Sequence, residues 1–303
     1  MTEAPVAIGV DIGGTKILAA MVDGDGAIVA SVRGATPQAG GRAILAATLH
    51  LVDELRAEHP TRPVMACGVG TAGVVVRNQI VSANTLLPGW AGQPLAEELE
   101  SALHRPAVVT NDVHAAAFAE VERGAASGAS AALFVAVGTG VGGAFSLDGR
   151  IRDGRIGVAG SIGHTAAPGR GDRACPCGAR GHVEAYAGGR GIERSYAERL
   201  GRLETLHEIA ARARDGERPA AEVIVEAAEV LGRAIGGAVN LLDPDLVVLG
   251  GGVPEIGPLY LDALRRAMRA EAMLPDQAPL VRAEMGANAT VIGAALMASR
   301  AAA

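Results

Sequence analysis

Four stretches of the chain hold residue types that could do chemistry. The first is Asp11-Ile-Gly-Gly-Thr-Lys16. It sets an acid at the end of an apolar run, then Gly13 and Gly14, whose backbone N–H groups can approach an anion, then the Thr15 hydroxyl beside Lys16. Lys16 is the only lysine; every other basic residue among the 27 is arginine. Lysine is a compact, mobile point charge and arginine a planar fork, so the position needs a reason. The second stretch, Gly138-Thr139-Gly140-Val-Gly-Gly143, is a glycine turn between apolar runs. The third is Asn111-Asp112, where a carboxylate either acts as a general base toward a nearby hydroxyl or merely caps the helix that follows. The fourth is His164 with Cys175, Cys177 and His182. Four such donors can close a tetrahedral zinc site with no position open for chemistry, which would make the metal structural. The alternative is a core histidine and two free thiols in an arginine-rich loop, with Arg170, Arg173 and Arg180 as a solvated rim.

Composition narrows the partners to small molecules. At 303 residues, 49% apolar and 20% charged, the chain is long enough for two lobes with separate cores. A formal charge of −6 and only 2% aromatics argue against a nucleic-acid surface or a base-stacking platform. No apolar run approaches membrane-spanning length, and the first residues lack a secretory pattern, so a cytoplasmic protein without a membrane partner is expected. Three cysteines are too few for a disulfide framework, and the one-residue gap between Cys175 and Cys177 suits a metal better than a bridge.

The elements that must position these residues read as α/β. Residues 6–12, 16–22 and 27–32 form a strand meander, with Asp25-Gly26 as a turn. The pattern returns at residues 131–137, the glycine loop 138–143, a strand 144–147 and the turn Asp148-Gly149. Two matching halves, each with a glycine turn, predict two lobes facing across a cleft. Between them, apolar spacing predicts a helix over 41–58, a strand over 64–69, a helix over 95–103 and a strand over 107–110, with another helix from 115 to 122. Later come a long helix over 221–242, a strand over 245–249 opening on Gly250-Gly251-Gly252, and helices over 258–273 and 287–300.

Two common phosphate motifs fail here. Gly138, Gly140 and Gly143 fit G-x-G-x-x-G, but a dinucleotide turn leads into a helix, and Ala144-Phe-Ser-Leu147 continues as strand. Thr15 separates Gly14 from Lys16, which breaks the P-loop pattern.

Taken in order, Asp11–Lys16, Gly70-Thr-Ala-Gly73, Asn111-Asp112, Gly138–Gly143, Gly163-His164 and Cys175-Pro-Cys-Gly-Ala-Arg-Gly-His-Val-Glu184 resemble the motif series of the ROK sugar kinases. These are bacterial glucokinase-like members of the actin/hexokinase superfamily. The resemblance spans essentially the whole chain. It implies a two-lobed, ribonuclease-H-like α/β fold: a small lobe 1–111 with a C-terminal helix 287–303 packing back on it, and a large lobe 112–286 carrying the zinc loop. It further implies ATP in the cleft, transfer of the γ-phosphoryl group to the 6-hydroxyl of a hexose, glucose by default, and a homodimer.

Roles follow by the same resemblance. Asp112 would be the base and Asn111 would orient a second hydroxyl. Asp11 would hold Mg²⁺ through water. Gly13, Gly14, Thr15 and Lys16, with Gly138, Thr139 and Gly140, would surround the phosphates, and Gly251 and Gly252 the adenosine side. Gly73, His164 and Glu184 would meet the sugar, His164 by the ring edge not bound to zinc. Zn²⁺ would fix the loop carrying Glu184.

This sequence departs from the family pattern at four places. His182 replaces a cysteine, making a two-cysteine, two-histidine site. Ser161 stands where a glutamate is usual, so a strong acceptor is lost and the hydroxyl it would hold is read differently. Gly70–Gly73 lacks a proline, and residues 84–90 align in more than one way with the sugar-binding loop. An amino-sugar 6-kinase, acting on kanosamine or N-acetylmannosamine, is therefore the nearest alternative. A non-catalytic, sugar-responsive ROK regulator is another, but its DNA-binding segment would need more room than the ten residues before Asp11.

Overall fold

The computed structural model describes residues 3–83 and 87–303. In chain order its elements are β1 (Val6–Ile12), β2 (Lys16–Val22), β3 (Ile28–Ala35), α1 (Gly41–Glu58), β4 (Val64–Thr71), β5 (Val74–Val76), β6 (Gln79–Ser82), α2 (Leu95–Leu103), β7 (Ala107–Asn111) and α3 (Asp112–Arg123). There follow β8 (Ala131–Val137), β9 (Val141–Leu147), β10 (Arg150–Ile151), α4 (Glu184–Ala187), α5 (Gly189–Leu200), α6 (Leu206–Arg214), α7 (Arg218–Leu242), β11 (Leu246–Gly250), α8 (Pro258–Glu271), β12 (Leu280–Arg282) and α9 (Ala289–Ala302).

Two compact units result: residues 1–128, 149–159 and 284–303, and residues 129–148 and 160–283. The first is built on a sheet ordered β3-β2-β1-β4-β7. β1, β2 and β3 form the antiparallel meander, and β4 and β7 add in parallel. β1 is an almost continuous apolar run because it is covered on both sides, whereas β3, at the edge, alternates between half-buried and exposed residues. α1 lays Ile44, Leu45, Leu51, Val52 and Leu55 into this core. α9 can lie flush on the sheet because Gly9 and Gly68 have no side chain: a Cβ there would fall 1.9 and 1.8 Å from the Val291 and Ala294 carbonyls.

α3 packs on α9 and β4, so it belongs to the first unit. Buried Glu120 fastens this arrangement, accepting the N–H groups of Ala125 and Met285, both at 2.8 Å. The boundary drawn from sequence at 111/112 accordingly differs from the contact-defined one, which follows Gly128.

In the second unit β9, β8, β11 and β12 lie in that order, β8–β9 antiparallel and β8–β11–β12 parallel. The order repeats β2-β1-β4-β7, the duplication predicted from the two meanders. The amphipathic helix α7 supplies the core face, with Ile224, Leu231, Ile235 and Val239 buried against Tyr196, Tyr260 and Leu264. Fully burying each of these side chains contributes about 1.5–3 kcal/mol. β9 begins at Val141 rather than Ala144, because Val141, Gly142 and Gly143 pair with Val137, Ala136 and Val135. The glycine loop is thus a three-residue turn, Gly138–Gly140.

Candidate active site

Three parallel strands deliver the first group of residues to one sheet end. Asp11 pairs with Gly70 and Gly70 with Thr110, while Thr71 pairs with Asn111. Carboxyl ends of parallel strands are where open α/β sheets bind ligands. Trp90 braces this end from the core: it is fully buried and its Nε1 donates to Thr71 Oγ1 at 2.8 Å. Its side chain is therefore part of the core, and Asn84, Thr85 and Leu86 lie outside the described residues.

Asn111 closes β7 and caps α3. Its Oδ1 accepts from the N–H groups of Val113 (2.9 Å) and His114 (3.2 Å), and its Nδ2 donates to the Gly73 carbonyl at 2.9 Å. The capping role that local sequence left open for Asp112 thus falls to Asn111. Asp112 is the first helical residue, its Oδ1 sharing the Val113 N–H at 2.9 Å. Burial pushes its carboxyl above the ordinary range, partly offset by the amides of Val113 and Asp112 and by His114 and Asn111. Asp11 is pushed up to about 6, first by burial and then by the negative charge of Asp112, with Lys16 pulling the other way. Two coupled carboxylates of like charge beside a lysine are a setting that a divalent cation would relieve.

The Gly13–Lys16 string is shaped from behind by residues that pattern reading missed. Thr36 Oγ1 donates to the Gly13 carbonyl at 2.6 Å, Thr36 N to the Thr15 carbonyl at 3.0 Å, and Gln38 Nε2 to the Gly14 carbonyl at 3.2 Å. In a trans peptide the N–H points away from the C=O, so holding these carbonyls turns the Gly14, Thr15 and Lys16 amides outward as an anion nest. β3 carries Thr36 and Gln38 just past its end, and only the meander register reveals them.

Gly138, Thr139, Gly140, Gly251 and Gly252 come together in the second unit, because β8 and β11 are parallel neighbours. Gly251, at φ 90°, lies against the Val137 backbone. Among the described residues, the space beside Gly138 and Gly252 is open.

His164, Cys175, Cys177 and His182 converge, all four donor atoms lying within 4.8 Å of one another. Cys175 Sγ is 3.7 Å from His164 Nδ1 and Cys177 Sγ is 3.3 Å from His182 Nδ1. A tetrahedral zinc with bonds of about 2.0–2.3 Å has edges of about 3.3–3.8 Å. Both Cys–His edges fall in that range and the remaining pairs lie within 4.8 Å, so these donor types can close on the ion with a small contraction. A tight turn, Cys175 N to Ala179 O and Gly178 N to Cys175 O, and the bridge between Ala166 and His182 hold them in place. His164 Nδ1 faces the thiols, which leaves Nε2 as its other edge. Ser161 precedes this group on the short turn before His164.

Glu184 follows at the start of α4, with Oε2 accepting the Val141 N–H at 3.0 Å and Oε1 facing Cys175 Sγ at 3.9 Å. Arg173 is no solvated rim. It is only 13% exposed, donating to Ala185 O (3.1 Å) and Ser195 Oγ (3.0 Å) and pairing with Glu198 at 2.7 Å. The loop wraps α4 and α5, whose acceptors need a donor. Arg180, at 62% exposure, does sit in solvent.

Comparison with known proteins gives the same outline. The model of the ROK family matches residues 7–301, nearly the whole chain. The chain belongs to the ROK family. Among curated ROK relatives, a glucokinase of Streptomyces coelicolor is 32% identical, the alignment covering 95% of this chain and 96% of that protein. An N-acetylmannosamine kinase of Salmonella typhi is also 32% identical, over 96% and 97% of the two chains. Among solved structures, a ROK family glucokinase from Streptomyces griseus in complex with glucose and AMPPNP superposes with a TM-score of 0.83. It is 32% identical and covers 97% of this chain and 99% of its own. The α/β fold expected from the motif series is the ROK fold.

In sum for the ROK site, Gly73, Asn111, Asp112 and Asp11 gather in the first unit. Ser161, His164 and Glu184 belong to the second. His114 escaped the pattern reading: it is buried, with Nδ1 3.0 Å from Asp153 Oδ1 and Nε2 3.3 Å from the Ala159 carbonyl. A lone histidine in the alanine-rich start of α3 was the available signal.

Proposed function

We propose that this ROK protein is an ATP-dependent sugar kinase that phosphorylates the 6-hydroxyl of a hexose, glucose by default. The observation that carries the reading is Asp112: a carboxylate of raised pKa on the first residue of α3, beside Asp11, at the carboxyl end of the parallel sheet. The names of its relatives, glucokinase and N-acetylmannosamine kinase, support the same class.

Asp112 accepts the proton of the attacking hydroxyl as the new O–P bond forms and the bond to the leaving ADP breaks; the proton then passes to solvent. Asn111, Gly73, Ser161, His164 and Glu184 would position the sugar. The amides of Gly13–Lys16 and of Gly138–Gly140 bind phosphate oxygens, with Gly251 and Gly252 on the adenosine side. Asp11 would hold Mg²⁺ through water, and that ion would neutralise charge between the β and γ phosphates. His164, Cys175, Cys177 and His182 would hold a structural Zn²⁺. The protein would work in the cytoplasm as a homodimer, on a small-molecule substrate and without nucleic acid.

Ser161 supports a second reading, a 6-kinase for an amino sugar such as kanosamine or N-acetylmannosamine. A hydroxyl neither carries the negative charge of a glutamate nor accepts as strongly. A sugar panel in a coupled ADP-release assay separates the two: turnover fastest with glucose favours the first, fastest with an amino sugar the second. No turnover with any sugar, ATP and Mg²⁺ being present, removes both.

A further inference from the structure

The segment that follows the His182 donor grips the glycine turn expected at the nucleotide. Glu184 Oε2 accepts the Val141 N–H at 3.0 Å. Five and six residues on, Gly189 N donates to the Gly138 carbonyl at 2.8 Å and Arg190 N to the Thr139 carbonyl at 3.2 Å. The packing is as tight as the bonding: a Cβ on Gly140 would fall 2.2 Å from Glu184 Oε2, and one on Gly188 would fall 2.9 Å from Gly140 Cα. Every residue of the turn is therefore touched by one stretch, Glu184–Arg190. That stretch begins two residues after a zinc-donor position, and Glu184 itself leans on another, Cys175, at 3.9 Å.

From this we infer that Glu184 is a positioning residue for the nucleotide turn, and that metal occupancy of the His164–Cys175–Cys177–His182 site is coupled to nucleotide affinity. The inference rests on the kinase reading but goes beyond it: there, Glu184 and the zinc serve the sugar. The physical route is short. A bound ion fixes Cys175 and His182, which fixes the backbone of α4. The carboxylate then holds the Val141 amide, and the Gly138 and Thr139 carbonyls stay turned toward α5. Without the ion Arg173 still ties the loop to α4 and α5, but the four donors keep only their two thiol–imidazole contacts, so the hold on His182 and on the Glu184 that follows it loosens.

The test measures AMPPNP binding by calorimetry without any sugar, on zinc-loaded and chelator-treated protein, for wild type and Glu184→Ala. Hydrogen exchange of the 138–142 amides and thermal melting are followed in parallel. The expected result is a weakening of about tenfold on chelation, a similar loss in Glu184→Ala, and little further loss when the two are combined. Faster exchange at Val141 should accompany both. Glu184→Gln, whose amide oxygen can still accept that N–H, should retain most of the affinity. Unchanged nucleotide affinity and Val141 exchange on chelation or in Glu184→Ala would overturn the inference. So would additive losses, or a loaded protein that takes up no zinc. If zinc-loaded wild type failed to bind AMPPNP at all, the kinase reading itself would fall, a separate result.

Discussion

Asn111 joins two elements at once: its Nδ2 donates to the Gly73 carbonyl at 2.9 Å while its Oδ1 caps α3 through Val113 and His114. The residue beside the proposed base therefore fixes where that base starts its helix and where the Gly73 turn lies. Capping does not exclude the substrate-positioning role proposed for Asn111.

Asn111→Ala should lower stability by about 1–2 kcal/mol, the loss of a cap plus a partly buried hydrogen bond. It should also raise KM for the sugar more than KM for ATP. Urea unfolding and steady-state kinetics check both, and an unchanged unfolding midpoint would contradict the cap.

Asp11 gives a prediction in pH. Its carboxyl titrates near 6 in the folded protein against 3.8 as the ordinary value. Below 3.8 it is neutral in both folded and unfolded chains and has no effect. Between the two values the unfolded chain gives up its proton while the folded chain still holds it, so stability falls as pH rises, and above 6, where the folded carboxyl ionises too, the destabilisation is complete. Asp11→Asn should therefore stabilise the metal-free protein at pH 8, by on the order of 1–2 kcal/mol after discounting for partial exposure, and leave it unchanged near pH 4. Activity should be lost in the same variant. Unfolding curves at the two pH values decide; equal effects at both would refute the assignment.

The His/Cys cluster predicts about one zinc per chain by metal analysis. Cys177→Ser should lower the zinc content and the melting temperature by several degrees, because metal binding contributes folding free energy. A fully folded, metal-free protein with an unaltered melting temperature would refute it.

Gly140→Ala should disturb the nucleotide turn, since the added Cβ would collide with Glu184 Oε2. KM for ATP should rise several-fold, and because the displaced Glu184 is also a proposed sugar ligand, KM for the sugar should rise with it. Wild-type kinetics would contradict the proposed place of this turn.

Much of this site could be read from residue strings because it is made of local features: Asp11–Lys16, Asn111-Asp112 and the cysteine knuckle each lie within a few neighbours. The strand meanders were equally legible, their apolar runs being continuous. What stayed hidden depends on register and return. Thr36 and Gln38 act on Gly13–Thr15 only because β3 pairs with β2, and His114 finds Asp153 only after β8, β9 and β10 have intervened. Arg173 looked like surface because charge in a loop usually is, and only the acceptors on α4 and α5 show why it is held. The domain boundary moved for a similar reason: α3 is sequence-adjacent to β8 but packs on α9.

The most direct measurement of the central claim is product formation from ATP, Mg²⁺ and the best sugar of the panel by wild type and by Asp112→Asn, with phosphorus NMR locating the new ester. The account predicts a sugar 6-phosphate formed in step with ADP by wild type. In the variant it predicts a turnover reduced by about 10³-fold or more, with folding and AMPPNP affinity intact. A phosphate on another hydroxyl, or near-normal turnover in Asp112→Asn, would contradict it.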